Sequence, residues 1–447
     1  MQILALDVGT SSVKAAILDV ATATPLGPVA RASYTLDYPT ADAAEIPAER
    51  LWSAVASAAR EAMATKKGTV PRSSKGPAPF LHVEAIGLSC LMPALVLLDA
   101  ADRPLAPIWT HFDRRSRPEA RQVWAEVGEE FLATVGNRPL PGGISVLCYR
   151  QQCSDQPSLS QVVKSYLHAN GWLGLRLTGE KAFDRGNACF TGLYGTVTDQ
   201  AWSPRWCSYF QVDPSWLPPV VCGSTTVGKL RPAAAAELGV PPGIPVKLGT
   251  ADTSSAMLAA GMQQGDLLHV VGATQVLAAL TDRPQPSPQR LTRQLGVGHA
   301  FIQATHNPLG GAALGWIRDL CFRDQTEQEF YEQTIPAAKQ RSTHVTLEPP
   351  YLGGDRLEIE AHRAAFRELT LATDRNDLLA ALLKAMQQRH CEAVAALGMG
   401  DRFRRIFLTG GGAEIVRQLI PGYQGAAVHL FEDGSLRGVA RLFDFQG

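Results

Sequence analysis

Metal-type cysteine spacing, an excess of either charge and long apolar runs are all missing from this 447-residue chain. Its eight cysteines, at 90, 148, 153, 189, 207, 222, 321 and 391, form no C-x-x-C, and no histidine cluster stands near them at zinc spacing. The pattern fits reduced, mostly buried thiols in a cytoplasmic protein rather than a disulfide framework. Lys+Arg and Asp+Glu both number 42, so charge gives no case for a nucleic-acid or membrane partner. No run reaches the about 18 apolar residues that a membrane-spanning helix needs. The opening residues read straight into a strand, with no basic region or cleavage site ahead of it, so no export signal is expected. No G-x-x-x-x-G-K-[ST] occurs, and no G-x-G-x-x-G follows the first strand. A Walker or Rossmann nucleotide site is therefore disfavoured.

What remains is an ordinary globular composition, 45% apolar and 19% charged. The length suits two domains or a little more. "LALDVGTSSVKAAILD" (4–19) reads as two short strands around a Gly9–Ser12 turn. A third strand is expected near 26–36. A helix follows over 46–63, with Pro47 in its first turn. Residues 65–80 read as a polar, Gly/Pro/Ser-rich loop. Residues 82–105 read as two strands broken near Met92-Pro93. The first hundred residues are therefore a mixed α/β unit. Further on, 161–180 reads as a helix stopped at Gly179, and 243–262 as a strand, a Gly-Thr turn and a helix starting at Asp252. Near the end come a long helix at 375–397, a strand at 404–408, the glycines 410–412 and a helix at 413–419.

The chain also carries an internal echo. With Gly9 placed on Gly272, "LALDVGTSSVKAAILD" overlies "LHVVGATQVLAALTD" (268–282). Val13 then matches Val276, Ala15 and Ala16 match Ala278 and Ala279, and Asp19 matches Asp282. Asp7 has Val270 as its counterpart, so only the first copy keeps an acid. Such a glycine turn offers backbone N–H groups and hydroxyls (Thr10, Ser11, Ser12) to an anion. A carboxylate beside it makes sense when a hard cation such as Mg²⁺ lies between acid and phosphate. Read alone, the same residues are equally a hairpin whose Asp and Ser cap the turn. "TGGGAE" (409–414) lets a ligand approach the backbone closely, or is only a tight strand-to-helix turn. Asp252, at a helix start, is either a base for a substrate hydroxyl or a plain cap.

Taken together, these segments resemble the FGGY family of carbohydrate kinases, over nearly the whole chain. The hairpin at 4–19 is similar to that family's first phosphate hairpin, and "AEIPAERLW" (44–52) to its acidic-Pro-Trp helix start. "LMPALVLLDAADRPLAPI" (91–108) is similar to its sugar-site strand pair, and "LTGEKAFD" (177–184) to its LTG motif. "GIPVKLGTADTSSAMLAAG" (243–261) resembles the segment with the catalytic Asp, and "EPPYLGGDR" (348–356) the P-Y-L-x-G-E-R block. "LTGGGAEIVRQLI" (408–420) with "GVARL" (438–442) resembles the adenosine site and closing helix.

The resemblance implies an α/β protein of two facing ribonuclease H-like (actin-like ATPase) domains with a cleft between them, 1–244 and 245–447. It implies Asp252 as the base, Asp7 as the Mg²⁺ residue, and Gly9, Thr10, Ser11, Ser12, Gly272, Ala273 and Thr274 at the phosphates. Gly411, Gly412 and Ala413 would line adenine and ribose, and Met92, His111 and Asp113 would border the sugar. The implied ligands are ATP, Mg²⁺ and a linear sugar, with a ketose such as xylulose or ribulose first, in a monomer or homodimer. A gluconate- or polyol-type kinase and a non-catalytic sugar or nucleotide sensor are the alternatives. The chain departs from the family pattern mainly at the sugar segments. Many relatives have Gln, Met-His and Trp-x-Asp-x-Arg where this chain has Leu91, Met92-Pro93 and His111-Phe112-Asp113-Arg114-Arg115. The second turn is Gly272-Ala273-Thr274 in place of Gly-Thr-Ser.

Overall fold

The computed structural model describes residues 1–64, 82–352, 357–400, 402–413 and 426–445. The loop expected at 65–80 and the helix expected at 413–419, past Ala413, lie outside them. The N-terminal hairpin forms as its sequence reads. β1 (Gln2–Val8) and β2 (Ser12–Asp19) pair antiparallel from Gln2↔Asp19 to Val8↔Val13. Both are buried at nearly every position because the sheet is covered on both faces. β3 (Ala30–Ser33) adds antiparallel to β2, β4 (Ala85–Cys90) parallel to β1, and β5 (Pro245–Ala251) parallel to β4.

The echo in the sequence is an echo in topology. β6 (Leu267–Val271) and β7 (Gln275–Thr281) form a second antiparallel hairpin. β8 (Phe301–Asn307) lies antiparallel on β7, β9 (Arg405–Thr409) parallel on β6, and β10 (Ala427–Leu430) parallel on β9. The order and sense of five strands thus repeat.

Each sheet has a helix on its outer face. α1 (Ala48–Ala64) buries Leu51, Val55, Ala58 and Ala62, a stripe at helical spacing, over β2 and β3. α3 (Arg375–Ala396) starts in a capping box of Asp374 and Asp377 and buries Leu379, Leu382, Leu383 and Met386. Between the sheets lie α2 (Asp252–Ala259) and α4 (Gly434–Arg441). α2 contributes Ala256 and Met257 to a core with Leu268, Ala278 and Ile302 of the second sheet. α4 contributes Leu436, Val439 and Ala440 to a core with Ile3, Ala5 and Ala85 of the first. The two helices touch backbone to backbone. A Cβ at Gly438 would stand 1.8 Å from Ser255 O.

One expectation needs correction. The stretch 161–180 is not one helix, because Ser165–His168 pairs as a strand with Ala94–Leu98 and the helix runs only over Ala169–Thr178. The Tyr166 and Leu167 side chains are wholly buried in that small sheet, and tertiary pairing overrides a helical pattern there. The division at 244/245 falls at the start of β5, which belongs to the first sheet.

Candidate active site

Three polar residues stand side by side at the C-terminal edge of the first sheet. Asp7 is opposite Ser89, and Ser89 opposite Thr250. Open α/β sheets present ligand sites at this edge. Asp7 is nearly enclosed, at 7% exposure, and both its oxygens accept hydroxyl donors. Ser89 Oγ donates to Oδ1 at 2.9 Å, and Ser435 Oγ, at the start of α4, donates to Oδ2 at 2.6 Å. Burial pushes the Asp7 carboxyl up to about 6, and the charge of Asp252 adds to the rise. The two hydroxyls and Lys14 act the other way. Lys14, beside Asp7 across the hairpin, bonds Asp433 at 2.6 Å. The first hairpin is thereby tied at two points to the α4 end of the chain, through Ser435 and Asp433.

Asp252 is the first residue of α2, reached through a backbone only glycine tolerates. Gly249 has φ +73°, and a Cβ there would lie 1.6 Å from Leu88 O. Its carboxylate is exposed and accepts from its neighbour Thr253 N at 2.6 Å.

The two glycine turns are built alike. Gly9 N donates to Ser12 O at 3.0 Å, and Gly272 N donates to Thr274 O at 2.9 Å. Thr10 and Ser11 are open at the first turn, and Gly272 and Ala273 at the second. Ser12 is not available to a ligand in the same way. It is buried in β2, with Arg31 Nε donating to its Oγ at 3.1 Å. Gly311 N and Ala312 N donate to Gly272 O and Ala273 O at 3.0 and 3.1 Å, packing a helix start against the second turn. A Cβ at Gly310 would meet Ala273 O at 2.6 Å.

A cavity of about 760 Å³ opens beside this turn, within the usual size range of a small-molecule site. Gly272, Ala273, Gly411 and Gly412 form one wall. Gly311, Leu314 and the Glu327–Glu332 segment, with Tyr331 on a π-helical turn, form the other. Gly410, at φ +102°, brings the run under Val271 O. Ala413 is outside the lining and packs on Val271 and Leu408.

The sugar-segment residues are placed unequally. Met92 is half-buried before a cis Pro93, and His111 is nearly buried with its ring 4.2 Å from that of Phe112. Asp113 does not border open space. It is fully buried, accepting from Ala44 N at 2.9 Å and from Arg115 N, Nε and Nη2 at 3.0, 3.0 and 2.7 Å. Burial raises its pKa while Arg115 opposes the rise. A carboxylate this enclosed, with four N–H donors, braces the loop in this structure. Sequence reasoning missed Ser89, Ser435, Lys14, Asp433, Gly311 and Tyr331. Only the Gly310-Gly311 pair carried a local signal.

Two similar halves around α2 and α4 make the two-domain fold of the actin-like ATPases. Among solved structures, a xylulose kinase from Rhodospirillum rubrum superposes with TM-score 0.84 at 24% identity, covering 99% of this chain and 89% of that one. A gluconokinase of Bacillus subtilis is 24% identical over 440 residues, 93% of this chain and 82% of that protein. A xylulose kinase of Streptomyces rubiginosus is 26% identical over 288 residues, 64% of this chain and 56% of that protein. Residues 2–259 match the N-terminal domain of the FGGY family of carbohydrate kinases, and the chain belongs to that family, phosphotransferases with an alcohol group as acceptor. No described helix is long and apolar enough to cross a membrane.

Proposed function

We propose that the chain transfers the γ-phosphate of ATP to a hydroxyl of a linear sugar, a ketose such as xylulose or ribulose being the first expectation. One observation carries the reading. A buried acid, Asp7, and an open acid, Asp252, share one sheet edge closely enough that Asp252 raises the Asp7 pKa. A glycine-walled cavity in the other half supplies room for a nucleotide.

In this reading Asp252 accepts the proton of the sugar hydroxyl. The oxygen forms its bond to the γ-phosphorus as the bond from that phosphorus to the β,γ-bridging oxygen breaks, and ADP leaves. Gly9, Thr10, Ser11, Gly272, Ala273 and Thr274 hold phosphate oxygens. Gly411 and Gly412 admit the nucleoside. Met92 and His111 border the sugar. Asp113 and Ser12 hold the loop and strand that carry these groups, and Ala413 packs behind the cavity.

The donor set around Asp7 suits Mg²⁺. It offers one carboxylate flanked by hydroxyls, and among the described residues no group of three or more His, Cys, Asp or Glu could cage an ion. That is the setting of an ion that keeps most of its waters. Bound there, Mg²⁺ would neutralise charge on the phosphates. We further place the division of the chain within or just after α2, since β5 pairs in the first sheet and α2 packs on the second.

The test is a coupled ADP-release screen over ketoses, aldonates and polyols, run with wild type and Asp252→Ala. Wild type should turn over one class. Asp252→Ala should lose about 10²- to 10⁴-fold in kcat while still binding ATP in calorimetry. ATP binding with a flat response to every acceptor would overturn the kinase in favour of a sensor.

A further inference from the structure

Asp252 stands between two residues that are each gripped by a buried charge. Two positions before it, Thr250 Oγ1 donates to Asp184 Oδ1 at 3.0 Å. Two positions after it, Ser254 Oγ accepts from Arg293 Nη1. Thr250, Ser254 and Asp184 are wholly buried and Arg293 is 4% exposed. The two charges come from opposite halves. Asp184 ends the LTG segment of the first half and also accepts from Asn170 Nδ2, Asn187 Nδ2, Gly186 N and Asn187 N. Arg293 lies on Leu291–Gln294, the edge strand of the second sheet.

The same segment locks β5 from the other side. Thr250 Oγ1 also lies 3.3 Å from Leu295 O. Gly223 N donates to Gly296 O at 2.8 Å, and Gly249 N donates to Gly223 O at 2.9 Å. A Cβ at Gly296 would stand 2.2 Å from Thr250 Oγ1. The backbone on either side of Asp252 is therefore fixed to both halves, and Asp252 itself is left open at the end of that fixture.

A buried guanidinium is an expensive way to hold one serine. Burial disfavours the Arg293 charge, and the nearby Asp252, Cys189 and Asp184 offset part of that. A neutral core residue would pack the same space at lower cost. Charge at this point has a use if the first turn of α2 must be held in one place while carrying a carboxylate.

We propose that Arg293 is a positioning residue for phosphoryl transfer. It pins the first turn of α2, and with it Asp252, to the sheet that carries the second phosphate turn, so that proton acceptor and phosphate site keep one spacing. The proposal rests on Asp252 acting as the base. A displacement of about 1 Å at a reacting group can cost about 10²-fold in rate even when the altered residue is remote.

The experiment measures kcat and KM for Arg293→Met, Arg293→Lys and Ser254→Ala, with thermal midpoints for each. Arg293→Met should lower kcat about 10²-fold with both KM values within about threefold of wild type. Arg293→Lys, which keeps a charged donor for Ser254, should recover at least about fivefold of that loss. Should Arg293→Met not fold, Ser254→Ala decides, with an expected fall in kcat of about tenfold at an unchanged midpoint. Wild-type kcat in Arg293→Met, a loss carried by KM alone, or, should Arg293→Met not fold, wild-type kcat in Ser254→Ala overturns the proposal. Full turnover in Asp252→Ala would overturn the assignment of the base instead, and it is read in a separate variant.

Discussion

Asp7 is held where its charge is disfavoured until something balances it. Its folded pKa of about 6 lies above the 3.8 of an ordinary aspartate side chain. The protonated acid is therefore favoured by folding. That contribution to stability is full below about pH 4 and is lost as pH rises through about 6. The sign gives a paired expectation for Asp7→Asn. Its thermal midpoint should exceed that of wild type by a few degrees at pH 7 to 8, and the gap should close toward pH 4. Mg²⁺-dependent ATP binding should weaken in the same variant. Calorimetry across pH checks both, and an unchanged Mg²⁺ dependence would remove Asp7 from the site. In wild type, kcat/KM should drop about tenfold per pH unit below about 6, as protonation of Asp7 removes the carboxylate that would hold Mg²⁺ in the free enzyme. A rate profile flat to pH 5 would contradict it.

Asp113 shows the other fate of a buried acid. Its partners are Ala44 N and three nitrogens of Arg115, and Arg115 also lies over the Trp109 ring and bonds Glu45. A motif places such a residue near a sugar. In this structure it is covered and held by Arg115 and Ala44.

At the scale of elements, the contact between α2 and α4 depends on the absence of a side chain. Gly438 faces Ser255 O, and Gly87 of β4 faces Val439. Gly438→Ala places a carbon 1.8 Å from a backbone oxygen that cannot rotate away. Destabilisation of about 2 to 3 kcal/mol is expected, with a parallel loss of activity because α2 carries Asp252. A denaturation midpoint equal to wild type would show that the helices part more freely than this contact implies. Elements also mark how far the sequence reads. Both hairpins, α1 and α3 were legible because each is a contiguous local pattern, apolar runs around a glycine turn or a helical stretch with its own start signal. Ser165–His168 was not, because its strand character comes from pairing with Ala94–Leu98, about 70 residues earlier in the chain.

For the molecule as a whole, the last helix belongs to the first sheet. Leu436, Val439, Ala440 and Leu442 are fully buried, in one cluster with Ile3, Ala5, Ala85 and Leu18. Burial of a Leu or Val side chain contributes roughly 1.5 to 3 kcal/mol, so these residues together approach the whole net stability of a typical protein, about 5 to 15 kcal/mol. A chain ended at Asp433 should therefore lose cooperative unfolding, followed by circular dichroism on heating. A sharp wild-type transition in the truncated chain would show that the first sheet stands without α4. The same helix delivers Ser435 to Asp7 and Asp433 to Lys14. The helix that covers the first sheet thus also supplies partners to its N-terminal hairpin.

The sequence by itself determined the two glycine hairpins, the acid kept in only one of them, the acid at the start of α2 and the glycine run at 410–412. Each is a local pattern, and local patterns set backbone conformation and the chemistry hung on it. Tertiary structure alone decided which acids stay open and what holds them. Ser435 reaches Asp7 across 428 positions and Arg293 reaches Ser254 across 39. Asp113, Ser12 and Ala413 turn out to be spent on Arg115, Arg31 and Val271. The reason is physical. A polar group is reactive or structural according to whether its lone pairs are already satisfied and its surface covered, and partners far apart in the chain settle both.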